Sequence, residues 1–233
     1  MNAIEIKERP ILFSAPMSQA ILEGRKTQTR RVIKDVVFSP ELIECGVGKR
    51  AKYYGNESHF KRVGPIDFKP YGQPGDRLYV KETFYAYGRW IKQYSATKNR
   101  DEWFFQDMVH LEGKIYQYAD NPPEKVEKKR VENVVGWYKR PSLFMPYYAS
   151  RILLEITDVR VERLQDISEA DAKAEGVKRA ILGVNGGIFG QQIGQEPKPY
   201  RQSFAVLWQS INGPESWNEN PFVWAINFKR IKP

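Results

Sequence analysis

An α+β or small-barrel architecture is what this chain predicts, on three observations. Candidate strands outnumber candidate helices, and the helices are short. No βαβ alternation runs through the sequence, and no segment repeats. The 233 residues suffice for one large domain with a substantial core, interrupted by insertions at about 35–73, 85–145 and 178–199.

Residues 10–13 open as a short strand. Ser18 is placed to cap a helix carrying Ala20, Ile21 and Leu22, which Gly24 closes. Between 32 and 73 the glycines at 46, 48, 55, 64 and 72 interrupt any long element, and cations alternate with rings (Lys49, Arg50, Lys52, Tyr53, Tyr54, Phe60, Lys61, Arg62). That pattern fits a nucleic-acid surface or an ordinary solvated loop. Pro74-Gly75-Asp76 marks a turn before a strand over 77–84, whose period places Leu78, Val80 and Glu82 on one face. A carboxylate on an apolar face is either paired or lines a cavity. The 85–145 insertion is rich in Trp, Tyr and charge. Beyond it, 151–164 is the longest strand candidate, with Ile152, Leu154 and Ile156 on one face. Ser168 with Asp171 resembles a capping box opening a short helix that Gly176 ends. Residues 183–194 are Gly-rich and predicted to be a mobile loop. Tyr200, Phe204, Leu207, Trp208 and Ile211 recur at helical spacing, and Phe222, Trp224, Ile226 and Phe228 alternate as a closing strand.

Composition narrows the function classes. Lys and Arg outnumber Asp and Glu by 37 to 28, giving a net charge of +9 that favours a polyanionic partner. Cys45 is the single cysteine, so no internal disulfide forms and a reducing compartment is expected. No apolar run has the length of a membrane helix or the form of a signal peptide, so a cytoplasmic protein is expected. Two histidines and one cysteine do not make the usual zinc set. Neither histidine accompanies a Gly-x-Ser-x-Gly elbow, and there is no phosphate-binding Gly-Lys-Ser/Thr loop. No metal and no cofactor are expected, and acid–base work falls to Lys, Thr, Glu, Asp or Tyr.

Those types concentrate in Gly24-Arg25-Lys26-Thr27-Gln28-Thr29-Arg30-Arg31, four cations and two hydroxyls directly after a helix stop. Such a turn suits an anionic or carbonyl-rich ligand; alternatively its cations complement the helix dipole and stay solvated. The neighbouring arginines disfavour the Lys26 ammonium and should lower its pKa. Residues three apart on a regular strand face opposite ways, so Lys26 and Thr29 serve one site only where the chain turns between them. Glu175, at the end of the short helix, opposes the helix dipole. It is either tolerated in solvent or offset by a pairing with Lys26 or an arginine.

This eight-residue stretch resembles the signature of the ASCH domain, a PUA-like β-barrel family related to RNA-binding modules. Residues 75–82 (GDRLYVKE) resemble the second-strand block of that family, residues 151–176 its strand-then-helix block, and residues 222–228 its closing strand. Residues 141–146 (PSLFMP) resemble long versions carried by phages and prophages. The resemblance implies a PUA-like small β-barrel with flanking short helices and long insertions. It implies a nucleoside or nucleic-acid partner, RNA rather than DNA.

A compact branch of the family comprises N4-acetylcytidine amidohydrolases, whose catalytic Lys, Thr and Glu match Lys26, Thr29 and Glu175. On that pattern Lys26 deprotonates Thr29, Thr29 attacks the acyl carbon, and Glu175 activates the water that releases the acid. Arg31 or nearby backbone N–H groups stabilise the oxyanion, while Arg25, Thr27 and Arg30 contribute to substrate binding. Glu82 holds Lys26 or an arginine, and Tyr79 or Trp224 supplies a stacking face. Other branches imply a module that binds a modified or flipped base without cleaving it, or a ribonuclease.

Overall fold

The computed structural model describes residues 6–33, 71–179 and 199–231. The fold is mixed α+β and mostly strand. In chain order its elements are β1 (Glu8–Leu12), α1 (Ala15–Leu22), β2 (Gln28–Val32), β3 (Arg77–Lys81), β4 (Phe84–Ser95) and β5 (Arg100–Asp107). They continue with β6 (Gln117–Tyr118), β7 (Val135–Arg140), β8 (Leu153–Arg163), α2 (Glu169–Ala174), α3 (Tyr200–Asn212) and β9 (Phe222–Ile231). One sheet has the order β1-β3-β8-β9-β2; in the other, β4 is flanked by β5, β6 and β7. Among the described residues neither sheet closes, so the strands seen do not form the barrel that the resemblance implies. No described helix is long and apolar enough to cross a membrane. The chain divides into two compact units: residues 1–9, 20–78 and 154–232, and residues 10–19 with 79–153.

Several elements differ from the sequence expectation. Ser18 lies inside α1 rather than capping it, its N–H bonding Ser14 O at 2.9 Å. The reason is Pro16, whose missing N–H is harmless in a first helical turn, so the helix starts ahead of Ser18. Gly24, at φ 75°, does end it, with Gly24 N–H on Ile21 O at 3.0 Å and Arg25 N–H on Ala20 O at 2.9 Å. The strand expected over 77–84 is two strands. β3 stops at Lys81, and Phe84 begins β4 in the other sheet.

In the first unit, α2 and α3 pack Leu164, Ile167, Ala172, Phe204, Trp208 and Val223 into one core. Ile211, expected on the buried stripe of α3, is 57% exposed, because the last turn runs past that core. β9 is a central strand between β8 and β2. Val223, Trp224, Ala225 and Ile226 are all buried there, so both faces are covered rather than one.

The second unit turns part of the 85–145 insertion into a sheet. β4 alternates buried Phe84, Ala86, Gly88 and Trp90 with half-buried partners and forms a hairpin with β5. Asn99 takes the left-handed conformation at its tip. Phe84, Ala86, Val109, Tyr116, Met145 and Ala149 form the core of this unit. The cation-and-ring run at 49–62, the Gly-rich run at 183–194 and Cys45 lie outside the described residues.

Candidate functional site

Three chain segments of the first unit meet around Lys26. After Gly24 the chain makes a non-helical bend, and Lys26 forms an isolated bridge to Glu175, 149 residues away. The bend is sewn to the end of α2 by Thr27 N–H on Ala174 O (2.8 Å) and by the Arg25 guanidinium on Gly176 O (2.8 Å). Gly176 permits this approach. Its φ is 81°, and a Cβ there would sit 2.7 Å from the Lys26 Cβ.

Lys26 Nζ donates to Glu175 Oε2 at 2.7 Å, to Glu175 O at 3.0 Å and to Gln28 O at 2.8 Å. Both side chains are buried, at 1% and 5% exposed. Burial is the main cause holding the Lys26 ammonium below its ordinary value. Glu175 opposes that shift, and Arg31 and Arg30 add to it. The expected direction is therefore present, with desolvation rather than the neighbouring arginines as its chief source.

Thr29 lies just beyond, buried on β2 opposite Ile226. Arg30, the next residue, is turned fully inward. Its guanidinium meets Glu162 Oε1 at 2.5 Å, Glu175 Oε1 at 3.2 Å and Asp171 Oδ2 at 3.5 Å. Arg30 thus holds one oxygen of Glu175 while Lys26 holds the other. Arg31 is half-buried, and burial lowers its pKa against the pull of Tyr71 and Glu175. Arg25 also pairs with Glu23 at 2.5 Å, and the Thr27 side chain is exposed.

Gln28, Arg160, Glu162, Asp171 and Asn227 continue the cluster as one hydrogen-bonded network. Gln28 Nε2 donates to Asp171 Oδ1 at 3.0 Å and to Asn227 Oδ1, while Arg160 reaches Glu162 and Asp171, each at 2.9 Å. Burial works to raise the Asp171 carboxyl, but Gln28, Arg160, Ser168 and Arg30 outweigh it and hold the group below its usual range. Gln28 with Arg30, and Arg160 with Glu162, are i,i+2 pairs, a spacing that puts each pair on one strand face. That signal is legible in the sequence. That both faces turn toward α2 is not.

Glu82 and Tyr79 belong to the second unit. Glu82 is 1% exposed and pairs with Arg151 Nε at 2.9 Å. Arg151 continues to Asp120 at 2.7 Å and stacks 3.9 Å over the Tyr118 ring. The arginine that Glu82 holds is therefore Arg151. Tyr79 meets Tyr147 edge-on, ring centroids 5.0 Å apart. No group of three or more His, Cys, Asp or Glu suited to a metal occurs among the described residues.

No protein-family model, curated protein or solved structure matches this chain.

Proposed function

We propose that the chain is an ASCH-type, PUA-like protein acting on a modified nucleobase, and that it hydrolyses the exocyclic amide of an N4-acylated cytidine. The observation that carries this reading is the buried Lys26–Glu175 pair at 2.7 Å, assembled from the two segments whose motifs suggested it, with Thr29 three residues on. A Lys whose ammonium is disfavoured by burial passes a proton to an adjacent carboxylate at small cost. The neutral amine then accepts the Thr29 proton as Oγ bonds to the acyl carbon. The resulting ammonium protonates the departing N4, giving cytidine and a Thr29 ester. Glu175, returning its proton through Lys26, activates the water that cleaves the ester and frees Thr29 and the acid.

A second reading has its own observation. Lys26 Nζ already donates to three oxygens, none of them Thr29. That arrangement also suits a non-catalytic module in which the pair only shapes a base-binding surface.

Turnover of N4-acetylcytidine by the purified chain separates the two. The informative variant is Thr29→Val, which keeps the volume and leaves the ion pair intact. Under the catalytic reading the wild type releases cytidine and acetate, and Thr29→Val loses about 100-fold or more of that rate. Lack of product at high enzyme concentration, with retained affinity for the nucleoside, establishes the binding module instead.

A further inference from the structure

The second unit carries a cationic aromatic pocket that the reading above does not use. Register places Phe105 opposite Trp90 and Arg140 opposite Phe84, so Phe84, Trp90, Phe105 and Arg140 share one face of the sheet. The Arg140 guanidinium lies 4.4 Å from the Phe105 ring centroid, 4.7 Å from that of Trp90 and 5.4 Å from that of Phe144. Arg130 lies 4.5 Å from Trp90. Neither guanidinium has a hydrogen bond or an ion pair among the described residues. Asp107 attracts Arg140 from beyond ion-pair range, and its oxygens are taken by Val109 N–H and the Tyr116 hydroxyl. Burial and the proximity of Arg130 both work against the Arg140 charge, and Asp107 offsets them only in part. Two guanidiniums therefore stand together on ring faces, their N–H donors uncommitted among the described residues.

A cavity of about 380 Å³ opens beside Arg140, lined by it together with Phe84, Phe105, Asp107, Phe144 and Tyr148 among others. Phe144 and Tyr148 are 61% and 63% exposed. They are carried on two 3-10 turns, each entered from a proline, Pro141 and Pro146. Short proline-led turns hold these rings out at little entropic cost, so their exposure is built into the backbone.

We propose that this pocket binds a nucleotide unit, its base stacking on Phe144 or Tyr148 and its phosphate taken by Arg140. An apolar peptide would bury the Arg140 guanidinium unpaired, which is costly. A bare inorganic anion would leave the exposed rings unused. A planar ring joined to an anion satisfies both halves of the pocket. The unit is either a residue of a single strand or a free mononucleotide. All the residues involved lie in the second unit, so the inference is independent of the acyl-transfer reading.

The test uses the full chain and two probes, a fluorescein-labelled oligouridine of about ten nucleotides and uridine monophosphate as its competitor. Arg140→Gln and Phe144→Ala should each weaken oligouridine binding about tenfold, and Arg100→Gln in the hairpin should leave it unchanged. Phe144 is exposed, so its variant folds even if removing Arg140 disturbs the ring cluster. With 4-thiouridine in the oligonucleotide, the photo-crosslinked peptide should contain residues 141–150. Competition by the monophosphate at concentrations near those of the strand identifies a free-nucleotide site; binding of the strand alone identifies a single-strand site. The proposal is overturned if neither probe binds, if both variants bind like the wild type, or if every crosslink maps outside 141–150.

Discussion

At Gly176 the backbone stands at φ 81°, with the Lys26 Cβ and the Ala20 Cβ 2.7 and 3.2 Å from where its own Cβ would be. Gly24 has a similar φ, 75°, and open space around it. Alanine at either position meets the left-handed penalty, about 1–2 kcal/mol, but only at Gly176 does it also displace Lys26. Gly176→Ala should therefore lower stability in urea by about 1 kcal/mol or more beyond Gly24→Ala; equal losses would mean that Lys26 is not held against the turn. At the ion pair, Lys26→Met leaves the buried Glu175 with Arg30 as its ion-pair partner among the described residues and should cost about 3 kcal/mol. Adding Glu175→Leu should restore part of that loss, a coupling that a double-mutant cycle measures directly. Tyr118 supplies a pH dependence. Burial raises its pKa, Arg151 pulls against that, and Glu82 and Asp120 add to it, leaving the phenol at about 12. Its folded value lies above the ordinary 10, so the stabilisation is complete below pH 10 and is lost as pH rises toward about 12. Unfolding of wild type relative to Tyr118→Phe, followed across that window, should show the difference shrinking.

At the scale of elements, α2 is too short to persist by itself, six residues with a Ser168 cap accepting from Asp171 N–H at 3.0 Å. Its stability comes from attachments: Ala172 in the core, Ala174 O on the Lys26 bend, and the Asp171 carboxylate on Gln28 and Arg160. Because the cap supports the helix that presents Glu175, Ser168→Ala should cost about 1 kcal/mol. Under the catalytic reading it should also slow acetylcytidine turnover; unchanged turnover despite the lost stability would detach α2 from the chemistry. Ser168 and Asp171 were legible as a capping pair from spacing alone. The Asp171 carboxylate does more than the box asks of it: besides its bond with the Ser168 side chain it reaches into the Arg30 cluster. Ser18 was misplaced for a related reason: local cap chemistry fits several serines, and Pro16 chose between them.

For the whole molecule, the excess of nine positive charges acts at long range on any anionic partner. Oligouridine binding should weaken with salt, and Arg140→Gln should reduce the slope of log affinity against log salt by about 0.7, the share of one phosphate contact on a single strand. An unchanged slope would place the phosphate elsewhere. The sequence by itself determined the charge, the α+β character, the places of the three helices and of β1, β3, β8 and β9, and the residue types able to do chemistry near Lys26. These follow from composition, from periods of two and near four, and from Gly and Pro at turns, all local properties. Tertiary structure alone decided that Lys26 reaches Glu175 across 149 residues, that Arg30 faces three carboxylates, and that Glu82 belongs with Arg151. It also decided that strands of the 85–145 insertion pair into a sheet with Arg130 and Arg140 lying over its rings. Partners so far apart in the chain are chosen by burial: a charge removed from water must find its counter-charge wherever the fold brings one near.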